Sequence, residues 1–278
     1  MNIKTKLLIV TTHAILVMGS NAMAGAVFSN GGFENADLSG WSVSSSNSAT
    51  PSYVAQTAGT TTVASTGNGG LSAVLTTAPG IDSNTGINQT YDGSYAARVG
   101  DQLAWGYSGG GNFYNQITQT ATVVAETDGS AGHLFFAWAA VEEISNHGGT
   151  ATPFFSVSVL DLTTGNTIYD VAHYEDDGGA WVVSAANNAW KYSANSNPLD
   201  PKGWNVNNLD LTALGVLVGD NLQLTAIARD CSPTAHAMYV YLDGFGGTQP
   251  ISNVPEPTTI ALMGLGLLGF AARRRNKA

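Results

Sequence analysis

The sequence predicts an all-β protein built as a single antiparallel β-sandwich. Three observations lead to this prediction. Several interior segments alternate apolar and polar residues with a period of two, as half-buried strands do. Glycine-containing turns separate these segments at strand-length intervals. The chain has 278 residues with 33 Gly, 11% charged residues and one Cys, a composition that excludes a coiled coil and a disulfide scaffold.

The clearest strand patterns lie in the second half of the chain. Residues 155–159 alternate Phe and Val with Ser, and residues 222–229 place Leu and Ala on one side opposite Gln223, Thr225 and Arg229. Residues 116–124 place three threonines on one side. Residues 133–143 (HLFFAWAAVEE) are apolar almost throughout. Their aromatic residues and the preceding Gly132 favour a central strand over a helix.

Other segments of the body, residues 25–250, predict loops. Residues 59–86 are rich in Thr, Ser, Ala and Gly, which is typical of a surface excursion or an irregular sheet edge. Residues 106–112 (GYSGGGN) predict a flexible loop, because the Lys-Ser/Thr pair of a phosphate-binding loop does not follow. The acidic tract at 170–177 is typical of a solvated loop.

Residues 1–24 predict a secretory signal peptide. Two lysines precede an apolar run at 7–18, and Ala22 and Ala24 place small residues at the third and first positions before a cleavage site. The apolar run is too short for an ordinary membrane-spanning helix. We therefore expect a signal helix that is removed after Ala24. The alternative is a core helix of the folded domain.

Residues 251–278 form a tail with three parts. The motif Val-Pro-Glu-Pro at 254–257 comes first. An apolar segment at 258–272 follows, which predicts a single membrane helix, and a basic cluster lies at 273–277. The positive-inside rule keeps the basic cluster in the cytoplasm and leaves the body outside.

This tail resembles the PEP-CTERM sorting signal of Gram-negative bacteria that make exopolysaccharide. The resemblance implies transient anchoring of the precursor in the inner membrane and cleavage near the motif by an exosortase. The body is then released to, or joined to, the cell surface or extracellular matrix. The alternative is a membrane anchor that is never processed. The residues expected to carry processing by signal peptidase and exosortase are Ala22, Ala24, Pro255, Glu256, Pro257, Arg273, Arg274 and Arg275.

The charge of the body excludes one class of partner. Residues 25–255 contain four basic residues and 19 acidic residues, which give a formal charge of −15. A surface of this charge repels DNA, RNA and anionic lipid. We therefore expect no nucleic-acid partner.

The body resembles carbohydrate-binding modules and related galactose-binding-like jelly rolls. The segments that carry the resemblance, in chain order, are 30–34 (NGGFE), 38–41 (LSGW), 93–100 (GSYAARVG) and 239–243 (YVYLD). The resemblance implies a jelly-roll sandwich with a structural Ca²⁺ ion. It places Glu34 and Asp243 as the carboxylate ligands, completed by backbone carbonyls near Ser94. The alternative is that Glu34 caps a turn and Asp243 ends a strand.

The sequence contains no recognisable catalytic motif. Its histidines lack the spacing of a zinc site, and no G-x-S-x-G motif marks a nucleophilic serine. Glu142 and Glu143 offer the one enzymatic alternative, since one of two adjacent strand residues can face a cleft and serve as a glycosidase carboxylate. We expect a protein without catalytic activity.

Aromatic residues are the remaining functional candidates. Sugar recognition stacks a pyranose ring on an exposed Trp or Tyr, with polar side chains nearby. The candidate ligand-binding residues are Trp105, Tyr107, Trp181, Trp190, Tyr192 and Trp204. Trp41 and Trp138 lie in denser apolar segments and are expected in the core.

These candidates predict a carbohydrate-binding or exopolysaccharide-binding protein. One alternative is that the rings only cover an edge of the sandwich, in a structural or adhesive matrix protein with no small-molecule site. A less favoured alternative is a glycan-active hydrolase or lyase.

Cys231 is the only cysteine of the chain, so it cannot form an internal disulfide. It follows the alternating segment 222–228 closely. We therefore expect it in a turn or at a strand end.

Overall fold

The structure is a computed structural model. The residues that it describes are 23–26, 28–46, 54–56, 72–75, 80–100, 114–126, 132–146, 152–175, 181–194, 203–231 and 236–246. No helix among them is long and apolar enough to cross a membrane. The predicted signal peptide up to residue 22 and the predicted tail from residue 251 lie outside the described residues.

Fourteen strands form within the described residues. In chain order they are β1 (Met23–Ala26), β2 (Ser42–Ser46), β3 (Val54–Gln56), β4 (Ala73–Leu75), β5 (Ala96–Val99), β6 (Tyr114–Glu126), β7 (His133–Glu143), β8 (Phe154–Asp161), β9 (Thr167–Tyr174), β10 (Trp181–Val183), β11 (Trp190–Ser193), β12 (Asn205–Asp210), β13 (Asn221–Arg229) and β14 (Met238–Gly246). Each pair of neighbouring strands is antiparallel. The all-β fold predicted from the alternating patterns is confirmed.

The strands form two sheets that pack as a sandwich. The first sheet has the order β3-β2-β6-β13-β8-β9, and the second has the order β10-β11-β7-β14-β5-β4. Each sheet contains one long strand, β6 in the first and β7 in the second. Each long strand pairs along one edge with two short strands that follow one another. These are β2 and β1 on β6, and β11 and β12 on β7.

The main core lies between the two sheets. β8 and β13 turn their apolar residues into it, and Phe155, Val157 and Leu224 are completely buried. Burying a side chain of this size contributes about 1.5–3 kcal/mol. Trp41 and Trp138 are buried as expected, with 1% and 6% of their surface exposed.

The second sheet also buries its outer face. Tyr239, Tyr241 and Trp204 are completely buried there, and Ile87 from the segment 80–95 packs against them. Both faces of β7 are therefore covered. This explains why the sequence of β7 is apolar almost throughout rather than alternating.

The loop before β2 is held by Asn30. The side-chain amide of Asn30 donates to the carbonyl oxygen of Asp37 at 2.8 Å, and the indole N–H of Trp41 donates to the carbonyl oxygen of Asn30 at 3.2 Å. Asn30, Phe33 and Ala36 have φ angles between 50° and 59°. Non-glycine residues adopt such angles rarely, so these hydrogen bonds maintain a conformation that positions the segment between them.

Two segments predicted as loops form part of the sheets. In the region 59–86, the structure describes β4, which forms an edge of the second sheet, and residues 80–86, which cover its outer face. Most of the acidic tract 170–177 was wrongly predicted as a solvated loop. Its first five residues belong to β9, and Glu175 is buried because its carboxylate binds Ser145 and Lys191.

Substitution of two glycines, Gly31 and Gly246, tests how closely the N-terminal loop packs on β14. A Cβ on Gly31 would overlap the carbonyl oxygen of Phe245, whereas a Cβ on Gly246 would meet nothing within 4 Å. Neither glycine has a positive φ angle. We expect Gly31→Ala to lower the free energy of unfolding by about 1–3 kcal/mol, the usual cost of overpacking. Thermal or urea unfolding measures this, with Gly246→Ala as the control that stays near the wild type. Equal stability of the two variants would contradict the described packing.

Candidate functional site

The first candidate site is formed by two carboxylates that hold the loop 91–95. Asp243 lies near the end of β14, and its Oδ2 accepts the backbone N–H groups of Tyr91 and Asp92, both at 2.9 Å. Glu34 lies in the N-terminal loop, and its Oε1 accepts the N–H groups of Ser94 at 2.9 Å and Tyr95 at 3.1 Å. The structure therefore brings the two predicted calcium ligands to the same loop.

The two carboxylate side chains meet beside Gly32. A Cβ built on Gly32 would lie 3.8 Å from Cγ of Glu34 and 3.9 Å from Oδ1 of Asp243. A Cβ on Gly93, whose φ is +64°, would overlap the carboxylate of Glu34. Gly93 thus leaves the space that the carboxylate of Glu34 occupies, whereas a Cβ on Gly32 would make ordinary contacts. We call Glu34 and Asp243 with the loop 91–95 the carboxylate site.

Asp243 is the strongly perturbed acid of this site. Its side chain is 1% exposed, and burial raises its pKa to about 8 although the N–H groups of Asp92 and Tyr91 lower it. Among the described residues, neither Asp243 nor Glu34 forms an ion pair with Lys or Arg. Two carboxylates with no compensating cation suit a hard cation such as Ca²⁺. The described residues contain no cluster of three metal-binding side chains, so such an ion would also need backbone or water oxygens.

A third carboxylate, Asp82, was not identified from the sequence. It is 1% exposed and lies against the outer face of the second sheet. Its Oδ2 accepts the hydroxyl groups of Tyr239 and Tyr241, both at 2.7 Å. Its Oδ1 accepts the N–H and the hydroxyl of Thr85, also at 2.7 Å. Burial raises the pKa of both tyrosines well above the ordinary value of 10. Asp82 therefore fixes the segment 80–95 to the sheet.

The second candidate site is a cleft of about 200 Å³ between the sheets. β9 of the first sheet lines one side of it through Val171 and His173. β7 and β10 of the second sheet line the other side through Trp138 and Trp181. We call it the inter-sheet cleft. It lies beside the gap between β11 and β12 along β7, since β11 pairs with residues 141–143 and β12 with residues 133–138.

Some polar groups of the inter-sheet cleft form hydrogen bonds within the protein, and one does not. The hydroxyl of Ser193 donates to the carbonyl of Gly203 at 2.8 Å and accepts the N–H of Ala140 at 3.1 Å. The indole N–H of Trp138 donates to the hydroxyl of Tyr169 at 2.8 Å. The indole nitrogen of Trp181 is buried and has no hydrogen-bond partner among the described residues. This N–H is the polar group of the cleft that the described residues leave unsatisfied.

The other predicted ligand-binding aromatic residues do not join this cleft. Trp190, Tyr192 and Trp204 are at most 5% exposed because they pack into the cluster on the outer face of the second sheet. Buried rings cannot stack on a sugar from solution, so this corrects the prediction for these three residues. Trp105 and Tyr107 lie outside the described residues. Of the predicted aromatic residues that the structure describes, Trp181 alone lines the cleft.

The two adjacent glutamates of β7 are placed on different sides of the strand. Glu142 is completely buried and lies 3.6 Å from the ammonium group of Lys191. Glu143 is partly buried, which raises its pKa, and it accepts the N–H of Ala237 at 3.3 Å. A glycosidase needs two carboxyl groups that flank one substrate. This pair does not have that arrangement.

Cys231 is buried directly after β13. Its sulfur accepts the backbone N–H of His236 at 3.0 Å and lies 3.1 Å from the imidazole Nδ1 of the same residue. These contacts close the connection between β13 and β14. The expected position at a strand end agrees with the structure.

Of the predicted processing residues, the structure describes only Ala24. Its backbone pairs with Ala125 in the strand contact between β1 and β6. Cleavage after Ala24 stays a prediction. The remaining processing residues, Ala22 and those of the tail, lie outside the described residues.

Comparison with protein families identifies the kind of signal that the C-terminal tail contains. Residues 253–275 match the PEP-CTERM protein-sorting motif. The chain carries a PEP-CTERM sorting motif. This motif implies an exported protein that is sorted to the cell surface by an exosortase. The match covers the tail, so it gives the route of this PEP-CTERM protein and says nothing of the body.

The body was compared with curated proteins and with solved structures. No curated protein matches the chain significantly. A cyclase from Fischerella sp. TAU is similar with 14% identity and a TM-score of 0.36, covering 80% of this chain and 96% of the cyclase. The carbohydrate-binding module CBM27-1 from Caldicellulosiruptor saccharolyticus, solved with mannohexaose, is similar with 13% identity and a TM-score of 0.30, covering 64% of this chain and 97% of the module. TM-scores this low carry no argument about the function of the body.

The raised pKa of Asp243 predicts how stability depends on pH when divalent cations are removed with EDTA. Its pKa is about 8 in the folded protein and 3.8 ordinarily, so the folded state binds the proton more tightly. The free energy of unfolding should therefore fall as the pH rises through this range. Each pKa unit corresponds to about 1.4 kcal/mol, so the fall should reach several kcal/mol.

Urea unfolding at a series of pH values measures this dependence. Asp243→Asn should flatten the profile, because Asn does not titrate and its amide oxygen can accept the same N–H groups. Asp170→Asn is the control, since Asp170 is exposed on β9. A wild-type profile that does not decline above pH 4 would contradict the assignment.

Proposed function

We propose that this PEP-CTERM protein is a non-catalytic carbohydrate-binding protein of the cell surface or exopolysaccharide matrix. The observation that carries the proposal is the inter-sheet cleft, which is lined by the partly exposed ring of Trp181. Export and sorting bring the body to a place where polysaccharide is available. The jelly-roll topology implied by the sequence resemblance is part of the same proposal.

The chemistry of the inter-sheet cleft suits a sugar ring. Trp181 provides partly exposed apolar ring surface, and Asn205 and His173 add polar atoms. Sugars present an apolar ring face together with hydroxyl groups, which matches such a mixed lining. The volume of about 200 Å³ is below the roughly 300–1,000 Å³ of pockets for drug-sized ligands. We therefore propose that the cleft binds one sugar residue, at a chain end or a branch.

The burial of Glu142 supports binding rather than hydrolysis. Glu142 is completely buried and lies 3.6 Å from the ammonium group of Lys191, so its carboxyl group is not exposed to a glycan in solution. Glu143 lies on the opposite side of β7, so the two acids do not serve one substrate.

We further propose that the carboxylate site holds Ca²⁺. Glu34 and Asp243 would be its carboxylate ligands, and the ion would supply the positive charge that this position lacks. The two residues belong to the N-terminal loop and the last strand, and both bind the loop 91–95. Ca²⁺ at this position would therefore stabilise the contact of three distant segments.

A second candidate function is adhesion through the outer face of the first sheet. Neighbouring strands β6 and β13 place a ladder of hydroxyl and amide groups there. Thr118 and Thr225 are joined by a hydrogen bond of 3.1 Å, and Thr122 donates to Asn221 at 2.8 Å. A flat polar ladder suits a structural or adhesive contact with a matrix polymer, without a small-molecule site.

Binding to immobilised polysaccharides tests the proposed cleft. We expect the exported protein to be retained on particular glycans and to be released by competing sugar. Trp181→Ala should abolish retention because it removes the ring surface. Trp181→Phe should keep part of the retention, since the ring remains and only the N–H donor is lost. Trp181→Phe should also leave the unliganded protein at least as stable, because an unpartnered buried donor costs about 1–3 kcal/mol.

Val183→Ala is the matched control for this experiment. Val183 lies on the same strand as Trp181, is 54% exposed and does not line the cleft. Its substitution should leave retention unchanged. If Trp181→Ala folds and still binds glycans like the wild type, the cleft is not the binding site. If the folded wild type binds none of the glycans, adhesion becomes the better candidate.

Thermal unfolding with and without Ca²⁺ tests the carboxylate site. Binding to the folded state raises the free energy of unfolding by about 2.7 kcal/mol at a concentration 100 times the Kd. We therefore expect Ca²⁺ to raise the melting temperature relative to EDTA, and Mg²⁺ to raise it less. Glu34→Gln and Asp243→Asn should each reduce this shift, because they remove charge and keep acceptors for the loop. Asp170→Asn should not reduce it. An unchanged melting temperature of the wild type would exclude the site.

A further inference from the structure

Exposed apolar side chains gather at one end of the sandwich. Eight large hydrophobic residues are exposed within the part of the chain that the structure describes, and five of them lie at this end. They are Val124, Leu162, Leu214, Leu217 and Val218, and between 40% and 67% of each is exposed. We call these five residues the apolar end.

Strand register places these residues together. β6 and β8 both end where β13 begins, since β13 pairs Asn221 with Thr122 and Leu222 with Asp161. The turn 211–220, which precedes β13, carries three of the five residues. It is fixed to β6 because the N–H of Gly219 donates to the carbonyl of Val123 at 2.8 Å.

The chain enters and leaves the body at this same end. β14 ends at Gly246, which pairs with Phe135 close to the start of β7. The turn 211–220 is bound to that start, since the N–H of Leu211 donates to the carbonyl of Gly132 at 2.7 Å. β1 lies alongside the end of β6, with Met23 opposite Glu126. The connections to the predicted signal peptide and to the sorting tail therefore both start here.

The connection to the predicted membrane helix is short. Eleven residues, 247–257, separate β14 from the helix predicted at 258–272. A fully extended chain covers at most about 3.6 Å per residue, which limits this connection to roughly 40 Å. In the anchored protein, the end of β14 therefore lies no more than roughly 40 Å from the start of the predicted membrane helix.

Acidic side chains at this end are turned inward. Asp220 is 8% exposed and accepts the N–H of Leu217 at 2.7 Å, and Asp161 is 2% exposed and accepts the hydroxyl of Thr164 at 2.7 Å. Asp210 remains exposed. The turn 211–220 therefore exposes Leu214, Leu217 and Val218 beside the polar Thr212 and exposes no acidic side chain, while the charge of the whole body disfavours anionic lipid.

We propose that in the membrane-anchored precursor the apolar end lies on the surface of the bilayer. Leu217 and Val218 enter the interfacial region of electrically neutral lipid, and the sorting motif at 254–257 is held close to the membrane. The partner is the lipid itself. The inference rests on insertion of the tail as a membrane helix, which belongs to the predicted function.

Fluorescence quenching in lipid vesicles tests this orientation. The full-length precursor is reconstituted into phosphatidylcholine vesicles that carry nitroxide groups on part of their acyl chains. An environment-sensitive probe is attached at Leu217→Cys in a Cys231→Ser background. We expect the nitroxides to quench this probe strongly. Adding anionic lipid should weaken the quenching.

The same probe at Val183→Cys is the matched control. Val183 is 54% exposed, and its strand pairs through β11 with the far end of β7. Its fluorescence should be quenched little. Equal quenching at the two positions would overturn the proposal. A probe at position 217 that is shielded from water but not quenched by lipid would assign the surface to a second copy or to the tail itself, which also overturns it.

Two further measurements distinguish loss of docking from loss of tail insertion and from impaired folding of the Cys231→Ser variant. Flotation with the vesicles reports tail insertion, so loss of flotation contradicts the membrane helix and intact flotation without quenching contradicts the docked end. Hydrogen exchange of the unsubstituted precursor needs no probe, in case Cys231→Ser impairs folding. Amides of residues 212–219 should exchange more slowly in nanodiscs than in detergent, while those of residues 185–189 should not change. Equal exchange in both segments would overturn the proposal.

Discussion

Three buried or hydrogen-bonded carboxylates hold the segment 80–95 on the second sheet, and the rest of the structure depends on that contact. Asp82 accepts the hydroxyl of Tyr241, whereas Asp243 and Glu34 each accept two backbone N–H groups of the segment. Without this cover, the rings on the outer face of the second sheet would be exposed to water. Each partner left unsatisfied inside would cost about 1–3 kcal/mol. The segment therefore completes a second core.

The same contact joins parts of the chain that are distant in sequence. Asp243 lies three residues before the end of β14, and Glu34 lies in the loop that Asn30 holds before β2. Both bind the loop 91–95, so the beginning, the middle and the end of the body are fixed at one position. Burial of a negative charge there is unfavourable by itself. A cation bound at this position would stabilise the charged form of Asp243 and so compensate the cost of burying it.

The sequence predicts those features that depend on local pattern. Period-two alternation identified β8 and β13 because one face of each is buried and the other is polar. The resemblance to galactose-binding-like jelly rolls implied that Glu34 and Asp243 lie together, and both bind the loop 91–95. The burial of Trp190 and Trp204 could not be read in the same way, since their polar sequence neighbours do not show that β11 pairs with β7 or that the segment 80–95 covers the sheet. Exposure is decided by these distant pairings.

The inter-sheet cleft results from the way two short strands share one long one. β11 and β12 leave residues 139–140 of β7 without a partner strand on that edge. A backbone N–H without a hydrogen-bond acceptor in this gap would cost free energy. The hydroxyl of Ser193 accepts the N–H of Ala140, so the gap persists without that cost. Trp181 closes one side of it and keeps an unpartnered donor. The ring of Trp181 therefore lines the cleft while its buried N–H stays without a partner among the described residues, which costs about 1–3 kcal/mol.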